Sequence, residues 1–274
     1  MTKSIPESVR PFEFESYGVN IRIDGNRQYL IDEAEKVARR ALLDDIRPVA
    51  TSQFQHIFKF ELEEDGFILL TDNGEFISRD DVFTHILPHF NSLVRVAVAE
   101  DAFDRVFIHA GAVGWRGKAI LMPADSFKGK STLVAELVRN GAVYYSDDYA
   151  IFDRNGLMYP FARKLSMRTA DAKFVPYELT VDQLGGTVGT EPIRVGTVLF
   201  TEYDPKGKWQ PKLLTSGNGV LELIPFTFSF INRPDFSLPV LNNIASHATI
   251  VSSLRGSAVN FAKTLLKFID KNVD

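Results

Sequence analysis

The chain has 274 residues, of which 45% are hydrophobic and 24% charged, the balance of a globular protein long enough for two domains. A formal net charge of −4 leaves no basic footprint for nucleic acid and no attraction to an anionic membrane. Cysteine is absent, which excludes disulfides, thiol nucleophiles and cysteine metal sites.

The first residues, MTKSIPESVRPFEF, lack an apolar signal core, and no run approaches the roughly 18 apolar residues of a membrane helix. The default expectation is therefore a cytoplasmic protein without membrane partners. Residues 17–23 (YGVNIRI) alternate like a strand, and residues 30–43 carry helical spacing through Leu30, Ala34, Val37, Ala38, Ala41 and Leu42. Residues 56–62 and 67–71 read as a hairpin closed by Glu63, Glu64, Asp65 and Gly66. Residues 80–98 read as a helix bent at Pro88. His85 and His89 within it have i, i+4 spacing, but they lack an acidic partner in a HExxH arrangement and are not assigned a metal. Residues 1–100 are expected to form a small α+β domain for partner binding, oligomerisation or substrate docking. The 22 phenylalanines are spread along the chain and are read as core.

Residues 101–274 carry the chemistry. Residues 106–113 (VFIHAGAV) are of strand type, and small Ala110 and Gly111 beside His109 permit close approach of backbone or ligand. A second apolar run, 118–122, leads into Ala124, Asp125, Ser126, Phe127, Lys128, Gly129, Lys130, Ser131 and Thr132, which reads as a phosphate-binding P-loop whose first glycine is alanine. In such a loop backbone N–H groups cradle phosphate, the lysine reaches the β- and γ-phosphates and the hydroxyl holds magnesium. Leu133, Val134, Leu137 and Val138 then repeat at helical spacing, and Gly141 is a fitting stop. A strand, a loop and a helix N-terminus aim the helix dipole and free N–H groups at an anion.

Residues 142–146 (AVYYS) form a further strand, expected beside the P-loop strand, and it ends in Asp147 and Asp148. The first of these lies 17 positions after Lys130. Two carboxylates at that edge supply a metal ligand and an acceptor for a hydroxyl proton, the two groups phosphoryl transfer requires.

Taken in order, His109-Ala110-Gly111, Asp125-Ser126, Gly129-Lys130-Ser131 and Ser146-Asp147-Asp148 resemble the catalytic domain of the HPr kinase/phosphorylase family, and more closely the HPr-kinase-related proteins. The resemblance covers residues 103–155 and extends more weakly through Leu165-Ser166-Met167-Arg168 and Ser253-Leu254-Arg255-Gly256. It implies an α/β P-loop fold related to phosphoenolpyruvate carboxykinase, ATP with Mg²⁺, and transfer to a serine-type hydroxyl. It also implies that His109, Lys130, Asp147 and Asp148 are catalytic, and that Ser131, Asp147 and Asp148 serve the metal. Ala124 and Phe127 stand where the family has glycine, and the family's Arg-Gly-x-Gly segment has no counterpart in residues 191–196. Only the kinase chemistry is therefore carried over, without the HPr substrate or the phosphorylase reaction.

Downstream, Arg163, Lys164 and Arg168 lie close in sequence, and one of them is a candidate to neutralise charge on a transferring phosphoryl group. Residues 182–196, with Gly185, Gly186, Gly189 and Gly196, read as a mobile loop, either a lid over the nucleotide or a surface connection. Residues 197–203 return to strand pattern, residues 204–207 signal a turn, and residues 257–269 form a packing helix. Three functions stay open: a kinase for a serine in a protein or peptide, a catalytically silent nucleotide-sensing or partner-binding module, and a small-molecule kinase.

Overall fold

The computed structural model describes residues 9–125, 128–169 and 175–272, a mixed α/β chain with three sheets among those residues. It divides into two units, Met1–Asp104 and Arg105–Asp274.

The first unit opens with β1 (Phe12–Ser16) and β2 (Val19–Gly25), antiparallel about Tyr17 and Gly18. These two residues have φ of 50° and 82°, the pair of positive values that a two-residue type I′ turn requires. Sequence pattern assigns Tyr17 to a strand and overlooks β1, because no Asn-Gly marks the turn, although the inward positions shift from Phe14 and Ser16 to Val19, Ile21 and Ile23 across it. Helix α1 (Gln28–Ala41) buries Leu30, Ile31, Ala34, Val37 and Ala38 on one face. It forms the crossover that lets β2 lie parallel to β3 (His56–Leu62). Strands β4 (Ile68–Asp72) and β5 (Glu75–Asp80) add antiparallel pairs, giving the order β1-β2-β3-β4-β5. Helix α2 (Phe83–Asp101) continues through Pro88, and its Phe90 packs edge-on to Phe58 and Phe60 at 5.2 and 5.1 Å.

In the second unit β6 (Val106–Trp115) turns back into β7 (Lys118–Pro123), which feeds α3 (Lys130–Arg139), β8 (Val143–Ser146) and β9 (Tyr149–Phe152). The sheet corrects one expectation: β8 does not pair with β7, because β6 lies between them and is antiparallel to both. β8 and β7 therefore point the same way, and their carboxyl ends reach one edge with a strand between. β9 pairs with the first half of β6, from Val106 to His109, while β8 pairs with the second half, from Ala112 to Gly114. The bend at Asp147 and Asp148 falls at the junction, opposite the His109-Ala110-Gly111 stretch.

The remaining strands are β10 (Leu157–Tyr159), the separate hairpin of β11 (Leu165–Arg168) and β12 (Pro176–Leu179), then β13 (Ile193–Tyr203), β14 (Lys212–Leu213) and β15 (Thr249–Arg255). β13 is parallel to β7 on one side and β15 on the other. Helices α4 (Ser216–Leu223) and α5 (Pro234–His247) are associated with one buried cluster, through Val220, Leu223, Leu241 and Ile244. α3 and α6 (Ala258–Asn272) pack together in another, through Leu133, Val134, Leu137, Phe261 and Leu265. Covering both faces removes any need for polar alternation, which is why these strands read as continuous apolar runs.

Residues 182–196 do not behave as the glycine content suggests. Tyr144 donates its N–H to the Thr187 carbonyl at 2.8 Å, and Gly189 donates to the Tyr144 carbonyl at 2.8 Å. A Cβ on Gly186 would come within 2.2 Å of Val138, and one on Gly189 within 2.3 Å of the Tyr145 ring. These glycines allow close packing against α3 and β8, so the segment is wall, neither lid nor loose connection.

Candidate functional site

The loop from β7 to α3 is shaped by Gly129, the N-cap residue of α3, with φ 81° and ψ 25°. Any other residue there would cost about 1–2 kcal/mol. Ala124 is not among the described residues with positive φ, so its methyl carries no such strain. Ser126 and Phe127 lie outside the described residues.

Lys130, at the start of α3, is half-buried and turned back onto its own loop. Its Nζ donates to the Ala124 carbonyl, to the Asp125 carbonyl at 3.1 Å and to His109 Nε2 at 2.9 Å. An ammonium has three protons and no acceptor, so these three partners use it fully and leave His109 Nε2 as the acceptor. Burial pushes the Lys130 pKa below the usual lysine value, against the opposing pull of Asp148, Asp125 and Asp147.

His109 reaches Lys130 because of the glycine two residues on. A Cβ at Gly111 would lie 2.7 Å from Val134 Cγ2, so only glycine lets α3 settle this closely on β6. His109 Nε2 is also 3.7 Å from Asp148 Oδ1. Its ring lies 6.2 Å from that of Phe228.

The two aspartates have different surroundings. Ser146 Oγ accepts the backbone N–H groups of Asp148 and Tyr149 at 3.2 and 3.1 Å, a hydroxyl-closed turn that sends the adjacent carboxylates to different environments. Asp147 is only 5% exposed. Its Oδ2 accepts the Ser166 N–H at 3.0 Å, and its Oδ1 lies 3.0 Å from the Tyr144 hydroxyl, whose single proton faces both that oxygen and the Arg163 carbonyl at 2.8 Å. Burial raises the Asp147 pKa above the ordinary aspartate value, opposed by hydrogen bonds from Ser131, Ser166 and Tyr144. Burial likewise pushes the Tyr144 phenol above its ordinary range, and the neighbouring Asp147 adds to the shift. Asp148 is half-exposed, with Oδ2 3.7 Å from Arg163 Nη1.

The structure thus brings His109, Lys130, Ser131, Asp147 and Asp148 together at one edge of the sheet. Lys128 is exposed and paired with Glu202 at 2.6 Å, and Thr132 is exposed on the first turn of α3. Of the three downstream cations, Arg163 approaches the aspartates. Lys164 is exposed and lies 3.5 Å from Glu178, and Arg168 is exposed on β11. Sequence reasoning missed Tyr144, which buttresses Asp147, and gave no separate role to Arg255, whose Nη2 donates to the Gly129 carbonyl at 3.0 Å.

Among the described residues no three His, Cys, Asp or Glu side chains form a metal-holding group. Asp147 and Ser131 offer a carboxylate and a hydroxyl, oxygen groups of the class that Mg²⁺ takes. No described helix is long and apolar enough to cross a membrane.

No protein-family model matches the chain, and no curated protein matches it. Among the solved structures that match is the HPr(Ser) kinase/phosphatase from Coxiella burnetii, with 13% sequence identity and a TM-score of 0.36. The match covers 60% of this chain and 94% of that one, a distant structural similarity.

Proposed function

We propose that the second unit is an ATP-dependent phosphotransferase acting on a hydroxyl, with a serine of a protein or peptide as acceptor. The observation that carries this reading is the pairing of a left-handed Gly129 and Lys130 at a helix N-terminus with two aspartates in distinct surroundings. The serine acceptor rests on the motif resemblance.

The geometry supports a division of labour. Asp147, walled in by Tyr144 and Ser166 and hydrogen-bonded by Ser131, is suited to hold the metal with Ser131. Mg²⁺, when bound there, supplies neutralisation of phosphate charge. Asp148, half-exposed between His109 and Arg163, is suited to take the proton of the attacking hydroxyl. In the transfer an acceptor O–P bond forms, the bond from the γ-phosphorus to the β–γ bridging oxygen breaks, the hydroxyl proton passes to Asp148, and ADP leaves. Lys130 exchanges its loop carbonyls for phosphate oxygens, and Arg163 offsets charge on the transferring group.

A second reading has one specific observation in its favour. Lys130 already has three acceptors, and a hydrogen bond to a charged group contributes about 1.5–3 kcal/mol, so a nucleotide must displace substantial interactions. A chain that never makes this exchange is a silent partner-binding module. Incubation of the full chain with γ-labelled ATP, Mg²⁺ and a serine peptide library separates the two. The kinase reading expects labelled peptide with wild type and none with Asp148→Asn, whereas no label transfer to any peptide, together with no ATP binding by wild type, supports the silent module.

A further inference from the structure

Arg255, the last residue of β15, is an anomaly in electrostatic terms. It is 3% exposed, yet no carboxylate pairs with it among the described residues. Its Nη2 donates to the carbonyls of Gly129 and Lys128 at 3.0 and 3.4 Å, its Nη1 to the Gly256 carbonyl at 3.2 Å, and its Nε is buried without a hydrogen-bond partner among the described residues. Tyr203 offers a ring face at 5.5 Å. Burial lowers the guanidinium's pKa, but arginine stays charged. The charge also stands at the N-terminus of α3, where the helix dipole is already positive. A buried cation held against the first carbonyls at the positive end of a helix is an arrangement that an anion completes.

The direction of the hydrogen bonds says how. In a trans peptide the C=O and the following N–H point opposite ways. A guanidinium that holds the Lys128 and Gly129 carbonyls on its own side turns the N–H groups of Gly129 and Lys130 to the other. Glycine at 129 makes room for this, since an ideal Cβ there would lie 2.6 Å from Nη2.

We infer that Arg255 is a positioning residue for an oligophosphate: from behind the loop it orients the Gly129 and Lys130 N–H groups outward, and the phosphate they bind neutralises its buried charge. This rests on the phosphate-loop reading above and adds to it a residue from the far end of the chain. It also links phosphate occupancy to the turn after β13, because the Arg255 carbonyl accepts the Asp204 N–H at 3.0 Å.

The test is calorimetric titration of the full chain with inorganic tripolyphosphate, comparing wild type with Arg255→Lys, Arg255→Met and Lys130→Ala, alongside amide spectra of wild type. Arg255→Lys keeps the charge but not the fork that holds two carbonyls, so binding should weaken roughly 10- to 100-fold, and Arg255→Met should weaken it further. In wild type, saturating tripolyphosphate should shift the Gly129 and Lys130 amides together with the Arg255 Nε–H signal. Wild-type binding that Lys130→Ala weakens but both Arg255 variants leave intact would overturn the inference while sparing the phosphate loop. No binding by wild type overturns both. Should the variants not fold, the wild-type spectra decide: phosphate-dependent shifts at Gly129 and Lys130 without any change at Arg255 refute it.

Discussion

Lys130 Nζ and His109 Nε2 are 2.9 Å apart, which ties the loop lysine to the strand that lines the aspartates. Two cations cannot share that distance in a half-buried site, so His109 is the neutral acceptor while Lys130 is charged. His109→Phe keeps a ring in this place but removes the acceptor. Phosphate transfer should fall by roughly 10- to 100-fold with a smaller change in the KM for ATP, measured by steady-state kinetics. An unchanged kcat would remove His109 from the site.

Lys130→Met should separate function from stability. Burial already disfavours the ammonium and offsets part of what its three hydrogen bonds contribute, so replacing it with an apolar chain of similar length should lower the thermal midpoint by only a few degrees. ATP binding should be lost at the same time. A fall of many degrees in calorimetry would mean that Lys130 is chiefly a structural clamp on Ala124 and Asp125.

Asp147→Asn and Asp148→Asn should differ although the residues are adjacent. Asparagine at 147 can accept from Ser166 and donate to the Tyr144 oxygen, which frees the phenol proton for the Arg163 carbonyl. The variant should therefore fold and bind ATP, while losing the Mg²⁺ dependence of that binding in titrations with and without the metal. Asp148→Asn should retain both and lose transfer. Identical phenotypes would remove the division of labour.

In the first unit, His56 supplies a pH test. Its Nδ1 lies 2.7 Å from Asp72 and its Nε2 3.3 Å from Asp101. Burial opposes its charge, but the two carboxylates outweigh this and raise its pKa above the usual histidine value. A raised folded-state pKa gives stability that is complete below about pH 6.5 and is lost as pH rises through the folded value. Thermal unfolding of wild type should thus decline from about pH 6.5 upward more steeply than that of His56→Gln. Parallel curves would contradict the ion-pair account.

The parts legible in sequence were those set by local chemistry. Apolar runs, a glycine with positive φ and the spacing of Leu133, Val134 and Leu137 located the strand, loop and helix around Lys130. Tertiary contacts decided the rest. Gly186 and Gly189 suggested mobility, yet their lack of a side chain serves packing on Val138 and Tyr145. The placement of β6 between β7 and β8 depends on pairing across the sheet, to which a run of apolar residues is blind. Arg255 is far from Gly129 in sequence, and its one local sign is an arginine before Gly256 at the end of an apolar strand. Helices α4 and α5 were hidden by internal glycine and proline, including Pro239.

The most direct test of the central claim is calorimetric titration of the full chain with ATP and Mg²⁺, repeated with Lys130→Ala. The account predicts saturable binding by wild type at or below millimolar ATP and at least roughly tenfold weaker binding by the variant. Absence of wild-type binding at millimolar ATP, or equal binding by the two proteins, would contradict it.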